Sequence, residues 1–516
     1  MGTFVHKKGS RNTIMSSHSP ALAIDGLYAE KLAACLANEE GDGAADEAGF
    51  CRRYPDYERT RHLDVLRAAQ YGRLDALKHV YLDYTGGGLY AASQVEQHHR
   101  LLAADVYGNP HSFNPTSLAA THLVEKTRET IHEYFHADPD EYRIIFTSNA
   151  SGALKLVGES YPFEDRGQYM LTFDNHNSVN GIREFARLHG ANVNYVPITL
   201  PDLRMDAVAL REMLAQAIPG GNNLFAYPAQ SNFSGVQHDL AWVAEARERG
   251  WDVLLDCAAY LPTNSFDLRA CKPDFATLSF YKMFGYPTGI GALIVRRDKL
   301  KKLRRPWFAG GTVEIVSTLA PMFVRAEDEA AFEDGTVNYL SIPAVEIGLR
   351  HLLECGMESI HSRVVALTGS LLDSMTALRH SNGSPLVQIY GPTTTEGRGG
   401  TIAFNLLDER GEMFDVRLVE SLASQAHISL RTGCFCNPGA GENAFHLTRQ
   451  NVEECSVAAA PVTYERYVAA LSATTGHTVT GAIRVSVGLV SNYADVAYFV
   501  RFLRSFLDLD SPGLLG

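Results

Sequence analysis

The stretch D-F-A-T-L-S-F-Y-K-M-F-G-Y-P-T-G-I-G-A-L-I-V, from Asp274 to Val295, decides the fold. It begins as an apolar run typical of a buried β-strand, reaches a single lysine, Lys282, at a turn rich in glycine and proline, and continues as a second apolar strand. Upstream, W-D-V-L-L-D-C-A-A-Y (Trp251 to Tyr260) has the character of another buried strand and carries a carboxylate, Asp256, at its end. The pattern predicts a lysine and a carboxylate at strand ends, where α/β sheets bind ligands.

A lysine and a carboxylate in this arrangement suit pyridoxal phosphate. The amine can bind the aldehyde covalently, and the carboxylate can keep the pyridine nitrogen protonated so that the ring accepts electrons. An isolated aspartate–lysine pair could equally be a buried structural salt bridge. The cofactor interpretation therefore also requires a phosphate site. The run I-I-F-T-S-N-A-S-G-A-L-K-L (144–156) predicts a strand leading into a helix N-terminus, where small residues expose N–H groups to an anion. We expect Ala150 and Ser151 to make that contact, with the Ser279 hydroxyl as a further donor.

The chain from Val80 to about Val295 alternates apolar strand-like runs with amphipathic helical ones, which is the pattern of a parallel α/β sheet. We predict strands at 143–147, 169–173, 192–197, 223–226, 252–256, 275–280 and 291–295. Ligands bind beyond the carboxyl ends of such strands. The residues that fall there, and are therefore expected to meet in one site, are Ser151, His176, Asn232, Asp256 and Lys282.

A second, smaller α/β region is predicted after Pro343. Two helical stretches lead into it, and it contains strands near 401–406 and 482–487. Three parts follow from this reading: an N-terminal tail and helical arm (1–79), a large cofactor-binding domain (80–343) and a small C-terminal domain (344–516). Within the arm, residues 26–37 predict a helix and the acidic Gly/Ala segment 39–49 predicts a loop.

Composition narrows the function class. A chain of 516 residues that is 46% hydrophobic can bury a large core, and its net charge of −13 gives no electrostatic footprint for nucleic acid or an anionic membrane. No run approaches the ~20 apolar residues of a membrane span. The basic N-terminus lacks a hydrophobic segment after it, which argues against a secretory signal but leaves a transit peptide open. Eight cysteines then suggest reduced thiols in a cytoplasmic protein.

Several strings occur in the order that is typical of one enzyme family. The chain resembles the class V, fold-type I aminotransferases, among them the cysteine desulfurases, and most closely the N-terminal domain of molybdenum cofactor sulfurases. This resemblance covers about residues 80 to 490 and implies a large domain with a mixed, mostly parallel seven-stranded sheet and a smaller C-terminal α/β domain. The strings are Y-L-D-Y-T-G-G-G-L-Y (81–90), Y-G-N-P-H-S (107–112), F-T-S-N-A-S-G-A-L-K-L (146–156), D-N-H-N-S-V (174–179), P-A-Q-S-N-F-S-G (228–235), L-L-D-C-A-A-Y (254–260), S-F-Y-K-M-F-G-Y-P-T-G (279–289), F-E-D-G-T (332–336) and R-T-G-C-F-C-N-P-G (431–439).

The resemblance implies roles for further residues. His176 would lie over the pyridoxal ring and move protons, and Asn232 would bind the ring hydroxyl or the substrate carboxylate region. Thr336 matches a threonine that the family's partner subunit contributes to the phosphate, so a homodimer is implied. Arg484 matches the arginine that binds the substrate α-carboxylate, a task suited to a guanidinium. Arg431 is a second possible anion contact.

The resemblance also implies a sulfur nucleophile. Against the desulfurase pattern R-T-G-x-x-C, Cys436 occupies the persulfide-forming position, and Cys434 is the second candidate. The thiolate would attack the sulfur of L-cysteine held by the cofactor, releasing alanine and leaving a protein-bound persulfide. These two cysteines lie in a Gly-flanked segment that we expect to be an exposed, mobile loop. A C-x-C pair can bind metal, but no matching Cys/His pair stands nearby in sequence, so no metal is expected.

Two departures from the sulfurase pattern leave the reaction open. Those proteins commonly continue C-N-x-G-A-C, whereas Gly441 stands here at the last position. Eukaryotic sulfurases also carry a C-terminal cofactor-binding domain, whereas this sequence ends at Gly516, so we expect an unknown separate sulfur acceptor, protein or small molecule. The alternatives are a cysteine or cystine C–S lyase that gives pyruvate without Cys436, and a catalytically silent scaffold of the same fold.

Overall fold

The structure is a computed structural model that describes residues 26–37, 43–164, 166–458, 466, 470 and 481–511. Its strands are β1 (Val80–Tyr81), β2 (Tyr142–Thr147), β3 (Gln168–Thr172), β4 (Asn192–Val196), β5 (Ile198–Thr199), β6 (Arg204–Met205), β7 (Asn223–Pro228), β8 (Asp252–Asp256), β9 (Phe275–Ser279), β10 (Gly291–Arg296), β11 (Val313–Ser317), β12 (Met322–Arg325), β13 (Val387–Tyr390), β14 (Thr401–Leu406), β15 (Ile428–Ser429), β16 (Arg431–Gly433) and β17 (Ala482–Ser486).

The described α-helices, in chain order, are α1 (Gly26–Ala37), α2 (Gly43–Arg53), α3 (His62–Gln70), α4 (Arg73–Ala76), α5 (Ala92–Ala104), α6 (Pro115–Tyr134), α7 (Ala150–Ser160), α8 (Asn177–Asn180), α9 (Ile182–Leu188), α10 (Ala207–Leu214), α11 (Trp242–Glu248), α12 (Phe280–Phe284), α13 (Arg297–Leu300), α14 (Pro343–Cys355), α15 (Met357–Ala377), α16 (Val416–Gln425), α17 (Pro438–Ala444), α18 (Arg449–Ala458) and α19 (Tyr493–Arg504). Short 3₁₀ helices cover Pro55–Thr60 and Asp328–Ala331. Among the residues described, no helix is both long and apolar enough to cross a bilayer.

A seven-stranded sheet forms the centre of the molecule. Its strand order is β2-β10-β9-β8-β7-β3-β4, and only β10 runs antiparallel to its neighbours. Alternate side chains enter two different cores: Val253 and Leu255 of β8 pack on one face, and Leu254 packs on the other. Because both faces are covered, these strands read as continuous apolar runs, which is why the sequence reveals them.

A four-stranded antiparallel sheet, in the order β13-β14-β17-β16, forms a second core together with α15, α16 and α19. Helices α1 and α2 pack here, since Tyr28, Leu32 and Phe50 belong to this core, whereas Leu63 of α3 and Leu74 of α4 belong to a core of the large sheet. The two-residue strand β1 pairs in parallel with β15, with Val80 opposite Ile428. The segment that follows β1 therefore lies between the two sheets.

The predicted α/β fold is confirmed, with a mixed, mostly parallel seven-stranded sheet. All seven strands predicted in the first region are present, with ends within two residues, and the helix at 26–37 is α1. The loop predicted at 39–49 is wrong from residue 43 onward, because α2 begins there and buries Phe50 against the ring of Tyr493. Residues 1–25 and 38–42 lie outside the described range, and the division at 79 and 343 stays a prediction.

Candidate functional site

A cavity of about 140 Å³ opens at the carboxyl ends of the parallel strands. Strand β8 ends in it with Asp256, and β9 leads into α12, which carries Lys282. The predicted site residues that line this cavity are Ala150, Ser151, His176, Asn232, Asp256, Ser279 and Lys282. Arg431, Arg484, Thr336 and both cysteines do not line it. The cavity thus brings together the residues that the sequence places at strand ends.

Lys282 is fixed by its backbone while its amine stays available. The Gly88 N–H donates to the Tyr281 carbonyl at 3.1 Å, and a Cβ on Gly88 would lie 2.9 Å from the Lys282 carbonyl oxygen, so this approach requires glycine. Among the described residues, the amine makes no hydrogen bond. Desolvation lowers its pKa, although the carboxylate of Asp256 opposes the shift. The amine is thus shifted toward its neutral, nucleophilic form.

Asp256 is a buried carboxylate with one oxygen in use. Its Oδ1 accepts the Ala258 N–H at 3.0 Å, and the Thr277 hydroxyl lies 3.5 Å from the same atom. Oδ2 has no hydrogen-bond partner in the described part of the chain. A cationic N–H donor placed in the cavity could therefore pair with this oxygen.

His176 caps the short helix α8 and projects into the cavity. Its Nδ1 accepts the Ser178 N–H at 3.1 Å, so the ring proton of the neutral form is on Nε2. Desolvation lowers the pKa of the ring, with Asp256 opposing and Lys282 reinforcing the shift. A neutral imidazole that presents an N–H toward the cavity follows from these contacts.

The N-terminus of α7 forms the anion end of the cavity, with a different distribution of donors from the predicted one. The Ala150 N–H donates to the Ser279 hydroxyl oxygen at 2.8 Å, so it is already used. The side chain of Asn149 caps the Gly152 N–H at 2.9 Å. This leaves the Ser151 N–H without a partner among the described residues, together with the Ser279 hydroxyl proton. Both can donate to a phosphate.

Two arginines share one buried carboxylate beside the cavity. Arg431 and Arg484 are opposite each other on β16 and β17. Asp83 accepts from both, at 2.7 Å from the Arg431 Nη2 and 3.0 Å from the Arg484 Nη2. Two guanidinium groups face one carboxylate, so a positive charge remains uncompensated within this trio. The Nε of Arg484 is buried and has no hydrogen-bond partner among the described residues, so it could donate to an anion placed there.

The segment with the two cysteines packs against residues of the site. The Cys436 carbonyl accepts the Asn177 N–H at 2.6 Å, next to His176. The Phe435 carbonyl accepts from the side chain of Asn232 at 2.7 Å. Phe435 itself is buried, with its ring 4.7 Å from the Arg484 guanidinium carbon. We call residues 434–437 the thiol turn.

The side chain of Asn437 anchors the thiol turn through hydrogen bonds. Its amide nitrogen donates to the Asp174 carbonyl at 2.7 Å and to Asn232 Oδ1 at 2.9 Å, and its own oxygen accepts the Ala440 N–H at 3.2 Å. Both ends of the Asn232 amide are therefore held by the turn. The predicted contact of Asn232 with the cofactor or substrate is not available in this conformation, and the turn is anchored where a mobile loop was expected.

The two thiols differ in environment. Both cysteines have exposed side chains. The protein around Cys434 still desolvates its thiol and raises its pKa, with a smaller contribution from the carboxylate of Glu442. The Cys434 thiol is therefore less readily deprotonated than an ordinary cysteine thiol.

Thr336 lies outside the cavity, on the exposed surface. Its hydroxyl oxygen accepts from Asn109 at 3.2 Å. Sequence reasoning missed three residues that organise the site: Asp83, Asn177 and Asn437. All three stand inside quoted family strings, so the signal was present without an assigned role.

The residues of the cavity fit pyridoxal phosphate. The aldehyde of that cofactor would meet a lysine amine that has no hydrogen-bond partner among the described residues. The ring nitrogen would meet a carboxylate oxygen that accepts no described donor, and the phosphate would meet a free helix N–H beside a hydroxyl group. The three groups belong to Lys282, Asp256 and Ser151, which all line the cavity. The unpartnered Arg484 Nε fits a carboxylate nearby.

Comparisons with known proteins agree with this geometry. Molybdenum cofactor sulfurase of Solanum lycopersicum is 37% identical over 475 residues, covering 86% of this chain and 57% of that protein. The Bos taurus protein of that name is 36% identical, covering 86% of this chain and 51% of the relative. The chain thus spans a little more than half the length of these relatives.

Solved structures show the same fold. An apo cysteine desulfurase from Thermococcus onnurineus NA1 matches with a TM-score of 0.68 and 22% identity, covering 86% of this chain and 97% of that one. A cystine C–S lyase, in complex with its product cysteine persulfide, matches with a TM-score of 0.62 and 16% identity, covering 82% and 97%. The family model for class-V aminotransferases matches residues 80–499. The chain belongs to the class-V aminotransferase family.

Proposed function

We propose that this protein is a pyridoxal-phosphate-dependent cysteine desulfurase of the sulfurase-like type, which takes sulfur from L-cysteine as a persulfide on Cys436 and releases alanine. One observation carries the proposal. The thiol turn is anchored by Asn177 and Asn232 over the cavity that contains Lys282 and Asp256. The backbone of the turn thus lies against residues of the cavity, and attack would require the Cys436 side chain to turn toward a sulfur atom bound there.

Each cavity residue would have a separate role in the reaction, set by its charge and protonation. Pyridoxal phosphate, when bound, would supply an electron sink for the substrate α-carbon. Lys282, with its lowered pKa, would bind the aldehyde and then move a proton at the α-carbon. Asp256 would hold the proton on the ring nitrogen through its free oxygen. His176 would cover the ring and offer its Nε2 proton.

The arginine pair would orient the substrate. Arg484 has a buried, unpartnered Nε beside the thiol turn, and Arg431 adds positive charge from the neighbouring strand. A substrate α-carboxylate placed against Arg484 would point its sulfur toward Cys436. Asn232 would contact the cofactor or substrate only after the thiol turn releases its amide.

Cys436 is the proposed nucleophile, and Cys434 is the second candidate. The Cys436 thiolate would attack the substrate sulfur, the carbon–sulfur bond would break, and the electron pair would pass to the carbon that becomes the alanine methyl group. The raised pKa of Cys434 lowers its thiolate fraction at neutral pH and counts against it as the nucleophile. The proximity of the Cys436 backbone to His176 also favours Cys436.

The decisive experiment is incubation with L-cysteine and a reductant, with alanine and pyruvate measured together. We expect alanine as the product, added sulfur on the peptide that contains the thiol turn, and loss of both in Cys436→Ala. Cys434→Ala is the matched control, since it removes a neighbouring exposed thiol, and its effect should be milder. Pyruvate and sulfide that are insensitive to both substitutions would refute the proposal and indicate a C–S lyase.

A second copy of the chain is the proposed partner that completes the phosphate site. Thr336 is exposed and lies outside the cavity of its own chain, so it is free to serve a neighbouring one. The hairpin β11–β12 close by in sequence exposes large apolar side chains, among them Leu319 at 99% exposure. Apolar surface of this kind is typical of an interface. Light scattering, which gives the molar mass in solution, would test the homodimer.

The sulfur acceptor is proposed to be a separate protein or a small molecule. The exposed side chain of Cys436 would let such an acceptor reach the persulfide. A cytoplasmic location is proposed because all seven described cysteines are free thiols, which suits a reducing compartment. Supplying the persulfide form to candidate acceptors and following the labelled sulfur would test the first point.

A further inference from the structure

The thiol turn has an unusual backbone that brings its two cysteines together. The Asn437 N–H donates to the Cys434 carbonyl at 2.9 Å, and both central residues, Phe435 and Cys436, have left-handed φ angles of 54° and 55°. This is the pattern of a type I′ turn built without glycine at either central position. Such a conformation costs of order 1 kcal/mol per residue and persists only where the surroundings hold it.

The turn geometry brings the Cα atoms of the two cysteines to a separation that a disulfide can span. A residue in the left-handed helical region brings the Cα atoms on either side of it to about 5.4 Å, the i to i+2 separation of a helical turn. Disulfides join Cα atoms that are about 4.4–6.8 Å apart. Cys434 and Cys436 flank Phe435 in this way.

Both thiols are also exposed. Phe435 is buried against Phe233 and Arg484, whereas the cysteines before and after it are exposed. Of the seven cysteines that the structure describes, only these two are exposed. The negative charge of Cys436 contributes to the raised pKa of Cys434, which reflects their proximity.

We propose that Cys434 is a resolving thiol, which discharges the persulfide of Cys436 as hydrosulfide when no acceptor takes the sulfur. This inference rests on the proposed persulfide at Cys436. The Cys434 sulfur attacks the Cys436 Sγ, and the bond between that Sγ and the outer sulfur breaks. The outer sulfur leaves as hydrosulfide with the electron pair, and the Cys434 proton passes to solvent. The Cys434 sulfur is oxidised and the outer sulfur is reduced, while the Cys436 Sγ keeps the oxidation level it had in the persulfide, so the persulfide is itself the oxidant.

The environment of Cys434 would make this discharge slow enough for transfer to compete. Desolvation and Glu442 keep Cys434 largely as the thiol, and only the thiolate attacks. An acceptor that reaches the exposed Cys436 persulfide would take the sulfur first. Without an acceptor, the turn would close into a disulfide, and an exposed short-loop disulfide of this type is readily reset by a dithiol.

The test uses the cofactor-loaded protein under anaerobic conditions without reductant. One arm receives L-cysteine, and a second receives inorganic tetrasulfide, which loads thiols directly. Peptide mass spectrometry should show that the wild-type turn loses two hydrogens and that about one hydrosulfide appears per chain. In Cys434→Ser, the added sulfur should persist on Cys436, and hydrosulfide release should fall at least about tenfold. Cys35→Ser, which removes a distant half-buried thiol, should behave as wild type.

The outcomes separate the two proposals. If wild type keeps the added sulfur as long as Cys434→Ser does in both arms, the resolving role is overturned. If the sulfur instead persists in Cys436→Ser on Cys434, the roles of the two thiols are reversed and the proposal is also wrong. If only the tetrasulfide arm yields the disulfide and hydrosulfide, the resolving role is supported and the desulfurase function fails. A sample without any sulfur donor must retain both thiols, which excludes oxidation by residual oxygen.

Discussion

Replacement of Asn437 tests whether the anchoring of the thiol turn sets the rate of sulfur transfer. The side chain donates to the Asp174 carbonyl and to Asn232 Oδ1, and it caps α17 by accepting the Ala440 N–H. Asn437→Ala removes all three bonds. Asn437→Ser keeps an oxygen that can cap the helix but removes the amide nitrogen that binds the other two groups.

The magnitude follows from the bonds that are lost. Each buried hydrogen bond contributes about 1 kcal/mol, and the helix cap contributes about 1 kcal/mol more. Asn437→Ala should therefore lower the free energy of unfolding by about 3 kcal/mol, and Asn437→Ser by about 2 kcal/mol. If the two anchoring bonds hold Cys436 at its attack position, the loss of about 2 kcal/mol corresponds to roughly 30-fold slower alanine release in both variants.

The assay measures alanine release from L-cysteine alongside urea unfolding of each variant. Asn443→Ala is the matched control, because Asn443 lies on the same helix and makes one bond, to the Gly439 carbonyl at 2.8 Å, away from the cysteines. It should lose about 1 kcal/mol of stability with an unchanged rate. A normal rate of alanine release in Asn437→Ser would show that anchoring of the turn does not position the nucleophile.

Three further predictions concern the cavity. Lys282→Ala should bind pyridoxal phosphate only non-covalently and lose turnover, and cofactor that remains trapped on the protein by borohydride would contradict the role of Lys282. Asp256→Asn should slow alanine release at least about 100-fold, equivalent to about 3 kcal/mol, because the ring nitrogen loses its charged partner, and a near-normal rate would count against the pyridoxal phosphate site. His176 in the cofactor-free protein should titrate below its usual pKa of 6.5, because desolvation disfavours the charged ring, and NMR with His176→Gln for assignment would reveal a higher value if this is wrong.

The parts of the fold that the sequence predicts best are those where one physical signal dominates. The strands of the large sheet are buried on both faces, so their apolar runs are continuous, and Asp256 and Lys282 stand out at their ends. The prediction of the second sheet was less complete. Its strands β13 and β16 are short and half-buried, so their sequences show no clear hydrophobic pattern. The helix α2 was missed because its glycines favour a loop, while its stability comes from packing of Phe50 with distant aromatic residues.

At the site, the sequence predicts which residues lie near the cavity but not how their polar groups are oriented. Sequence pattern located Asn232 near the cavity, but it carried no information on where the amide points, and in the structure the amide binds the thiol turn. Similarly, Ala150 begins the expected helix, yet its N–H is taken by Ser279 across 129 positions of the chain. Long-range hydrogen bonds of this kind depend on the packed structure, which local sequence does not encode.

The bridging carboxylate of Asp83 has a consequence for the biosynthesis of the protein. Asp83 lies 401 positions before Arg484 in the chain, and every strand of the large sheet lies between them. Domains tend to fold as they emerge from the ribosome, so the pyridoxal phosphate cavity can form well before β17 has been translated. The nascent protein would hold an aldehyde-reactive lysine with no means of selecting amino acids by their carboxylate. If Arg484 binds the substrate carboxylate as proposed, this selection would begin only when β17 pairs with β16, so the cofactor site would precede the substrate site during synthesis of the chain.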